Sequence, residues 1–149
     1  MSNDFRNLNT IPAGALGLLP LESCKGIGEE VDKYLVSWRR ERKHEHEGDI
    51  TFSGYARDSY VIKASCPRFG SGEAKGTLKE SVRGYDLFIL VDITNYNLTY
   101  KLCGMENHMS PDDHYQDLKR MIAAVSGKAR RITVIMPFLY ESRQHRRTA

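Results

Sequence analysis

Short apolar runs alternate with amphipathic stretches along the chain. The runs at 16–20, 86–92 and 131–137 are brief and largely apolar. The last two have the nearly continuous apolar character expected of strands buried on both faces of a parallel sheet. Between the runs, stretches that begin at Ser23 and Ser110 repeat apolar residues every three or four positions, which predicts helices. This alternation indicates an α/β fold with a mostly parallel sheet.

The first predicted helix carries one apolar stripe that ends in a strongly charged stretch, 39–47. The stripe consists of Ile27, Val31, Tyr34, Leu35 and Trp38. The charged stretch either finishes the helix or forms a solvated loop. His44 and His46 within it have metal-binding side chains, but their charged surroundings favour a solvated loop over a metal site.

The second predicted helix has a clear start. Ser110 can accept hydrogen bonds from backbone N–H groups, Pro111 fits the first helical position, and two aspartates follow at the positive end of the helix dipole. Its predicted buried face consists of Leu118, Met121, Ile122 and Val125, and Gly127 ends the helix.

The remaining segments have weaker patterns. Residues 1–15 are predicted to be a flexible leader and 16–149 a single domain. One or two strands are expected within 50–66, a glycine-rich loop at 66–76, and irregular structure at 93–109. Ligands of parallel sheets usually bind beyond the carboxyl ends of the strands, which draws attention to the residues after Asp92 and Pro137.

Composition narrows the class of protein. The formal charge of +3 is too small to demand a nucleic-acid partner but suits a phosphorylated small molecule. No apolar run approaches the ~20 residues that span a bilayer, and the N-terminus lacks the apolar core of a signal peptide. Three widely spaced cysteines favour reduced thiols. We therefore expect a cytoplasmic protein that binds neither nucleic acid nor membrane.

Two segments could carry chemistry. Residues 140–147 contain three arginines, whose planar guanidinium groups suit phosphate, although a solvated basic tail is the simpler interpretation. Residues 68–73 combine Phe69, two glycines and Glu73, which could stack on a base and accept from its amine, but such strings are usually turns and Phe69 could simply plug the core. Cys66 has no identifiable base. No GxxxxGK[ST] or GxGxxG loop occurs, which excludes the commonest nucleotide-binding folds.

Together these segments resemble the ribose-phosphate pyrophosphokinase family. Residues 131–146 (RITVIMPFLYESRQHR) are similar, without a gap, to the family segment RITAVIPYFPYARQDR. Residues 68–73 (RFGSGE) resemble its RFSDGE, and 80–89 (ESVRGYDLFI) resemble its ENVRGxDVFI. The motifs occur in the family's order, and the resemblance extends from about 17 to 147.

The resemblance implies a three-layer α/β domain of the type I phosphoribosyltransferase fold. It implies transfer of pyrophosphate from ATP to ribose 5-phosphate, with Mg²⁺, giving phosphoribosyl pyrophosphate and AMP in a homo-oligomer with ATP at the subunit interface. The residues implied in ATP binding are Phe69, Ser71, Glu73, Arg143, Gln144 and His145. Those implied to open the catalytic loop are Arg146 and Arg147.

The sequence also departs from the family pattern. Ser71 and His145 replace aspartates, and 93–109 resembles an insertion. The sequence ends before the family's magnesium-binding DLH segment and its DDxxxTGGT ribose-phosphate loop, so we expect a domain cut short at its C-terminus that is inactive alone. The alternative is a non-catalytic relative that binds nucleotide or acts as a regulatory subunit. A basic-tailed nucleic-acid binder is a third hypothesis, which steep salt-dependent oligonucleotide binding would favour.

Overall fold

A computed structural model describes residues 12–43 and 54–143. The strands are β1 (Ala15–Pro20), β2 (Ala64–Ser65), β3 (Thr77–Leu78), β4 (Tyr85–Leu90), β5 (Thr99–Leu102), β6 (Met105–His108) and β7 (Arg131–Ile135). The α-helices are α1 (Lys25–Glu41) and α2 (Pro111–Val125). A 3-10 turn, Glu22–Cys24, joins β1 to α1. None of the helices described is both long and apolar enough to cross a membrane.

The central sheet contains three parallel strands in the order β1-β4-β7. The central strand β4 lies between two neighbours, and Leu87 and Ile89 within it are completely buried. This confirms the α/β fold and the three principal strands expected from the apolar runs. Two further pairs, β2 with β3 and β5 with β6, are antiparallel and lie outside this sheet.

Alternate side chains of the sheet face two different helices. Leu18 and Leu90 belong to the core cluster against which α1 packs, whereas Leu19, Leu87 and Ile89 belong to the cluster that includes the buried residues of α2. Successive strand residues point to opposite faces, so α1 and α2 cover opposite faces of the sheet. The three-layer α/β arrangement is therefore confirmed.

Helix α2 begins as predicted, with a capping box at Ser110. The backbone N–H of Asp113 donates to Ser110 Oγ (3.1 Å), and the Ser110 N–H donates to Asp113 Oδ2 (2.9 Å). The helix ends at Ser126 and Gly127, both in the left-handed region with φ of 47° and 67°. The expected buried face is correct except for Ile122, which is more than a third exposed.

The predicted apolar stripe of α1 does not face the core as a unit. Val31 and Leu35 pack against the sheet, but Ile27, Tyr34 and Trp38 are mostly exposed. The helix is rotated because Gly28 packs directly on Pro20 and because Asp32 accepts a hydrogen bond from the Tyr60 N–H (2.7 Å). These two contacts are tertiary, so the hydrophobic pattern alone could not reveal the rotation.

Two other predictions need correction. Strand β7 is not buried on both faces: it lies at the edge of the described sheet, and Val134 and Ile135 are substantially exposed. The segment 93–109 is not irregular throughout, because residues 99–108 within it form the β5–β6 hairpin. The expectation of one or two strands within 50–66 is confirmed in its described part, which contains β2 and an isolated bridge between Val61 and Leu18. Residues 1–11 of the leader predicted at 1–15 lie outside the described residues. The charged stretch 39–47 begins within α1, which ends at Glu41, and its residues 44–47, with both histidines, also lie outside the described residues.

Candidate functional site

The glycine-rich segment 68–73 forms a tight turn that displays an aromatic ring. The Phe69 N–H donates to the Glu73 carbonyl (2.7 Å), and the Gly72 N–H donates to the Phe69 carbonyl (2.9 Å). Gly72 has a φ of 89°, which glycine adopts readily. Phe69 is 53% exposed, so the interpretation of Phe69 as a core plug is wrong. The loop prediction itself is confirmed.

The polar side chains of this turn also face solvent. Ser71 and Glu73 are both exposed, and the Ser71 hydroxyl donates to Glu73 Oε2 at 3.4 Å. The turn thus brings an apolar ring, a hydroxyl and a carboxylate to the surface within five residues. A planar heterocycle with an exocyclic amine could stack on such a ring while its amine donates to the carboxylate.

Arg68 anchors the turn to helix α2. Its side chain is only 9% exposed, and its guanidinium donates to Asp117 Oδ2 (2.9 Å) and to the Gly72 carbonyl (2.9 Å). The Asp113 carboxylate lies 3.7 Å away on the preceding turn of α2. These two carboxylates neutralise the guanidinium inside the fold, so Arg68 serves the structure of the loop.

The β5–β6 hairpin contacts the same turn from another side. The Tyr100 ring lies 4.4 Å from the Arg68 guanidinium carbon, and the Cys103 N–H donates to the Gly70 carbonyl (3.0 Å). The sequence pattern did not indicate this contribution of the hairpin. A signal was present in the Cys103-Gly104 pair, whose positive φ values of 50° and 83° suit a two-residue hairpin turn.

The segment that leads to Arg143 is attached to the N-terminal part of α2. The Tyr140 hydroxyl donates to Asp112 Oδ1 (2.6 Å), which raises the pKa of that phenol, and its ring meets Tyr115 edge-on with centroids 5.5 Å apart. Arg143 follows in an exposed turn. The other predicted members of this cluster, Gln144, His145, Arg146 and Arg147, lie outside the described residues.

Both segments singled out from the sequence therefore attach to one helix. The turn at 68–73 is attached through Asp113 and Asp117, and the segment before Arg143 is attached through Asp112 and Tyr115. Helix α2 packs on the central sheet through Leu118, Met121 and Val125, so the sheet fixes the position of both attachments. The two segments attach to different residues of the helix.

A cavity of about 390 Å³ lies beyond the carboxyl end of β1. It is bordered by the β1–α1 connection, the segment 64–68, the start of the hairpin and the inner face of α2. Cys66 lines it, and burial together with the neighbouring Asp117 carboxylate raises the pKa of its thiol to about 11. The thiol is therefore neutral near pH 7, which fits the expectation that Cys66 is not a nucleophile.

The described residues offer no clustered metal site. Within 12–43 and 54–143, no group of three or more His, Cys, Asp or Glu side chains is arranged to hold a metal ion. The cysteines at 24, 66 and 103 are free thiols in the structure.

Comparison with known families identifies the protein family of the chain. Residues 16–149 match the family model described as the N-terminal domain of ribose phosphate pyrophosphokinase. The chain belongs to this family. Comparison with curated proteins found no match. The mixed α/β fold, with its parallel three-stranded sheet between helices, is consistent with the phosphoribosyltransferase-like N-terminal domain of the pyrophosphokinases.

Proposed function

We propose that this chain supplies ATP-site and subunit-interface residues to a ribose-phosphate pyrophosphokinase. The reaction transfers pyrophosphate from ATP to the anomeric hydroxyl of ribose 5-phosphate, and the products are phosphoribosyl pyrophosphate and AMP. In such a transfer, the protein contributes mainly by positioning the reactants and by neutralising phosphate charge. Membership of the pyrophosphokinase family supports this proposal at the level of the reaction.

The observation that carries the proposal is the exposed ring of Phe69 on an anchored turn. Phe69 would stack on adenine, and Glu73 would accept a hydrogen bond from the adenine amine. A ring exposed on an anchored turn is free to stack on a base, and a second subunit that carries the arginine-rich segment would complete the ATP site around it. The proposal therefore includes a homo-oligomer with ATP between subunits.

The arginine-rich segment would act on the phosphates of ATP. Arg143 would face the nucleotide together with Gln144 and His145, and Arg146 and Arg147 would begin the catalytic loop. Bidentate, charge-assisted hydrogen bonds from arginine suit phosphate oxygens. The attachment of Tyr140 to α2 supports this role, because it fixes the chain three residues before Arg143.

Magnesium would accompany ATP in this reaction. The described residues provide no cluster of three or more His, Cys, Asp or Glu side chains for it. We therefore assign no ligand to the ion within the described ranges and derive no step through it.

A second candidate function is a non-catalytic relative that binds nucleotide or regulates an active subunit. The bond from the Ser71 hydroxyl to Glu73 favours it, because Ser71 stands where the family pattern has an aspartate. This replacement removes a carboxylate that could accept a hydrogen bond from the adenine amine. The Ser71 hydroxyl also donates to one oxygen of the carboxylate that remains, Glu73.

The test is a product assay on the full-length protein. ATP and MgCl₂ are incubated with and without ribose 5-phosphate, and AMP and phosphoribosyl pyrophosphate are followed by ³¹P NMR. AMP formation that depends on ribose 5-phosphate supports the pyrophosphokinase. ATP binding by calorimetry without AMP formation supports the regulatory relative. Absence of both binding and turnover contradicts the two proposals together.

A further inference from the structure

The β5–β6 hairpin contacts the 68–73 turn at three places, although the two are separated by about thirty residues of sequence. Tyr100 covers the Arg68 guanidinium at 4.4 Å, and the Cys103 N–H donates to the Gly70 carbonyl at 3.0 Å. A side chain at Gly72 would meet Leu102 Cδ1 at 3.1 Å, so the hairpin packs closely against the turn there. Both ends of the turn are therefore held by one hairpin.

We propose that this hairpin is a brace that holds the 69–73 turn in its ligand-binding shape, with Tyr100 as the principal positioning residue. The inference rests on the proposed function, because the ligand of the turn is taken to be the adenine of ATP. Tyr100 acts through Arg68 and does not itself touch the nucleotide. The brace comprises residues 96–109.

The brace is itself rigidly built. The Thr99 hydroxyl donates to Glu106 Oε1 (2.7 Å), and the Met109 N–H donates to the Leu98 carbonyl (2.8 Å). The rings of Tyr96 and His108 are stacked, with centroids 4.7 Å apart. These contacts join the two strands near the open end of the hairpin, and the β5–β6 ladder continues from there to the tip that meets the turn.

The base of the brace is fixed to the protein core. His114 of α2 is almost completely buried, and its Nε2 lies 2.8 Å from the Asn95 carbonyl. The Asn95 side-chain amide also donates to the Ser23 carbonyl (3.1 Å), beyond the end of β1. The turn at 68–73 is thus connected to the sheet by two routes, one through Arg68 and Asp117 and the other through the brace.

This double support has a consequence for binding. The turn contains Gly70 and Gly72, and glycine has more backbone freedom than any other residue. A ligand that must order a mobile turn binds less tightly, whereas a preorganised turn avoids that cost. Loss of the brace should therefore raise the KM for ATP while the turnover at saturating ATP changes little.

The experiment compares three variants of the full-length protein. Tyr100→Leu removes the aromatic ring that covers Arg68, whereas Tyr100→Phe keeps a ring there. Tyr34→Leu is the control, because it makes the same change on the exposed face of α1. Amide hydrogen exchange of residues 69–73 reports the shape of the turn without any nucleotide. The KM for ATP and the kcat at saturating ATP are measured in parallel.

We expect Tyr100→Leu to accelerate exchange at 69–73 and to raise the KM for ATP by roughly three- to tenfold, which lies within the range that loss of a cation–π contact predicts. For Tyr100→Phe and Tyr34→Leu, both the exchange rate at 69–73 and the KM for ATP should stay within twofold of the unsubstituted protein. Twofold is smaller than the smallest effect expected from loss of the ring. Amide exchange within β4 reports whether the whole fold remains intact. If exchange in β4 also rises in Tyr100→Leu, the variant Leu102→Ala is used in its place.

Two results would overturn the brace. Unchanged exchange at 69–73 in Tyr100→Leu would show that the hairpin does not hold the turn. Faster exchange with an unchanged KM for ATP would show that the shape of the turn does not govern ATP use. Failure of the proposed function is distinguishable from both, because it appears as absent ATP binding and turnover in the unsubstituted protein.

Discussion

The Arg68 guanidinium and the Asp117 carboxylate form a nearly buried ion pair, 2.9 Å long, that joins the glycine-rich turn to α2. Asp117 is shared, because Arg120 also donates to it at 2.6 Å. Arg68 in turn has the Asp113 carboxylate at 3.7 Å. The two members of the pair are therefore not equivalent, and their replacement should have unequal costs.

We expect Asp117→Ala to lower the free energy of unfolding by roughly 3–5 kcal/mol, because it removes the largely buried carboxylate to which both Arg68 and Arg120 donate, and leaves Arg68 with only the more distant Asp113. Arg68→Ala should cost less, since Arg120 still neutralises Asp117. Urea unfolding followed by circular dichroism measures both. The matched control is Arg40→Ala, which breaks an exposed pair with Asp58 and should cost less than about 1 kcal/mol. Equal losses for Asp117→Ala and Arg40→Ala would contradict the assignment.

Two glycines of α1 should respond in opposite ways to alanine. A Cβ at Gly28 would lie 2.4 Å from Pro20 Cβ, whereas a Cβ at Gly26 would have no atom within 4 Å. Gly28→Ala should therefore destabilise the chain by about 1–3 kcal/mol through overpacking. Gly26→Ala should stabilise it by up to about 1 kcal/mol through helix propensity. Thermal unfolding of both variants tests the close approach of α1 to β1, and equal changes in Tm would contradict it.

Phe69→Ala should impair adenine recognition without destabilising the fold, because the ring is half exposed and belongs to neither core cluster. In the full-length protein we expect a loss of about 1–3 kcal/mol in ATP binding, the usual size of a base–aromatic stack. Ile122→Ala, at another exposed apolar position, is the control. Calorimetric titration with ATP measures the effect, and equal affinities for the two variants would remove Phe69 from the site.

The same variant tests whether the site is shared between subunits. A mixture of Phe69→Ala subunits with subunits that carry Arg143→Ala should regain part of the activity, because some interfaces then contain one intact turn and one intact arginine segment. Absence of complementation, despite mixed oligomers detected by native mass spectrometry, would argue against a shared site.

Arg143→Ala should reduce ATP use sharply in the full-length protein. A hydrogen bond to a charged group contributes about 1.5–3 kcal/mol, which corresponds to a decrease in kcat/KM of roughly ten- to a hundredfold. Arg83→Ala, at an exposed position in the turn before β4, serves as the control. Steady-state kinetics at varied ATP would exclude Arg143 from the site if KM and kcat both stayed unchanged.

The three thiols should react with iodoacetamide in a defined order. Burial, with the nearby Asp92 carboxylate, raises the pKa of the Cys24 thiol from 9.0 to about 11, and burial with Asp117 does the same for Cys66. Cys103 is exposed and should be alkylated first at pH 8, as measured by peptide mass spectrometry. In urea the three rates should converge. Faster alkylation of Cys66 than of Cys103 in the folded chain would contradict the structure.

The same shifts give a pH dependence of stability. Because the folded-state pKa values of Cys24 and Cys66 lie above the unfolded value, folding favours the neutral thiols. Their contribution is complete below pH 9.0 and is lost as the pH rises through about 11. The double variant Cys24→Ser, Cys66→Ser should therefore lose less free energy of unfolding between pH 8 and 11, as measured by urea unfolding at each pH.

Much of the fold could be predicted because its signals are local. The apolar runs identified β1, β4 and β7, and the sequence Ser110-Pro111-Asp112-Asp113 marked the start of α2, since capping depends on residues three positions apart. The glycine-rich turn at 68–73 was likewise predictable from its composition. The family resemblance rested on these same local strings, and the match over 16–149 bears it out.

What the sequence by itself determined was therefore the order of the three sheet strands and the two helices, most of the buried face of α2, and the family. The tertiary structure alone decided that β7 lies at the edge of the described sheet, that α1 is rotated by its contacts to Pro20 and Tyr60, and that Phe69 faces solvent. It also decided that the β5–β6 hairpin reaches the 68–73 turn through Tyr100 and Cys103. The reason is physical: capping, helical periodicity and turn formation depend on near neighbours, whereas burial and cation–π contacts depend on residues that only the folded chain brings together.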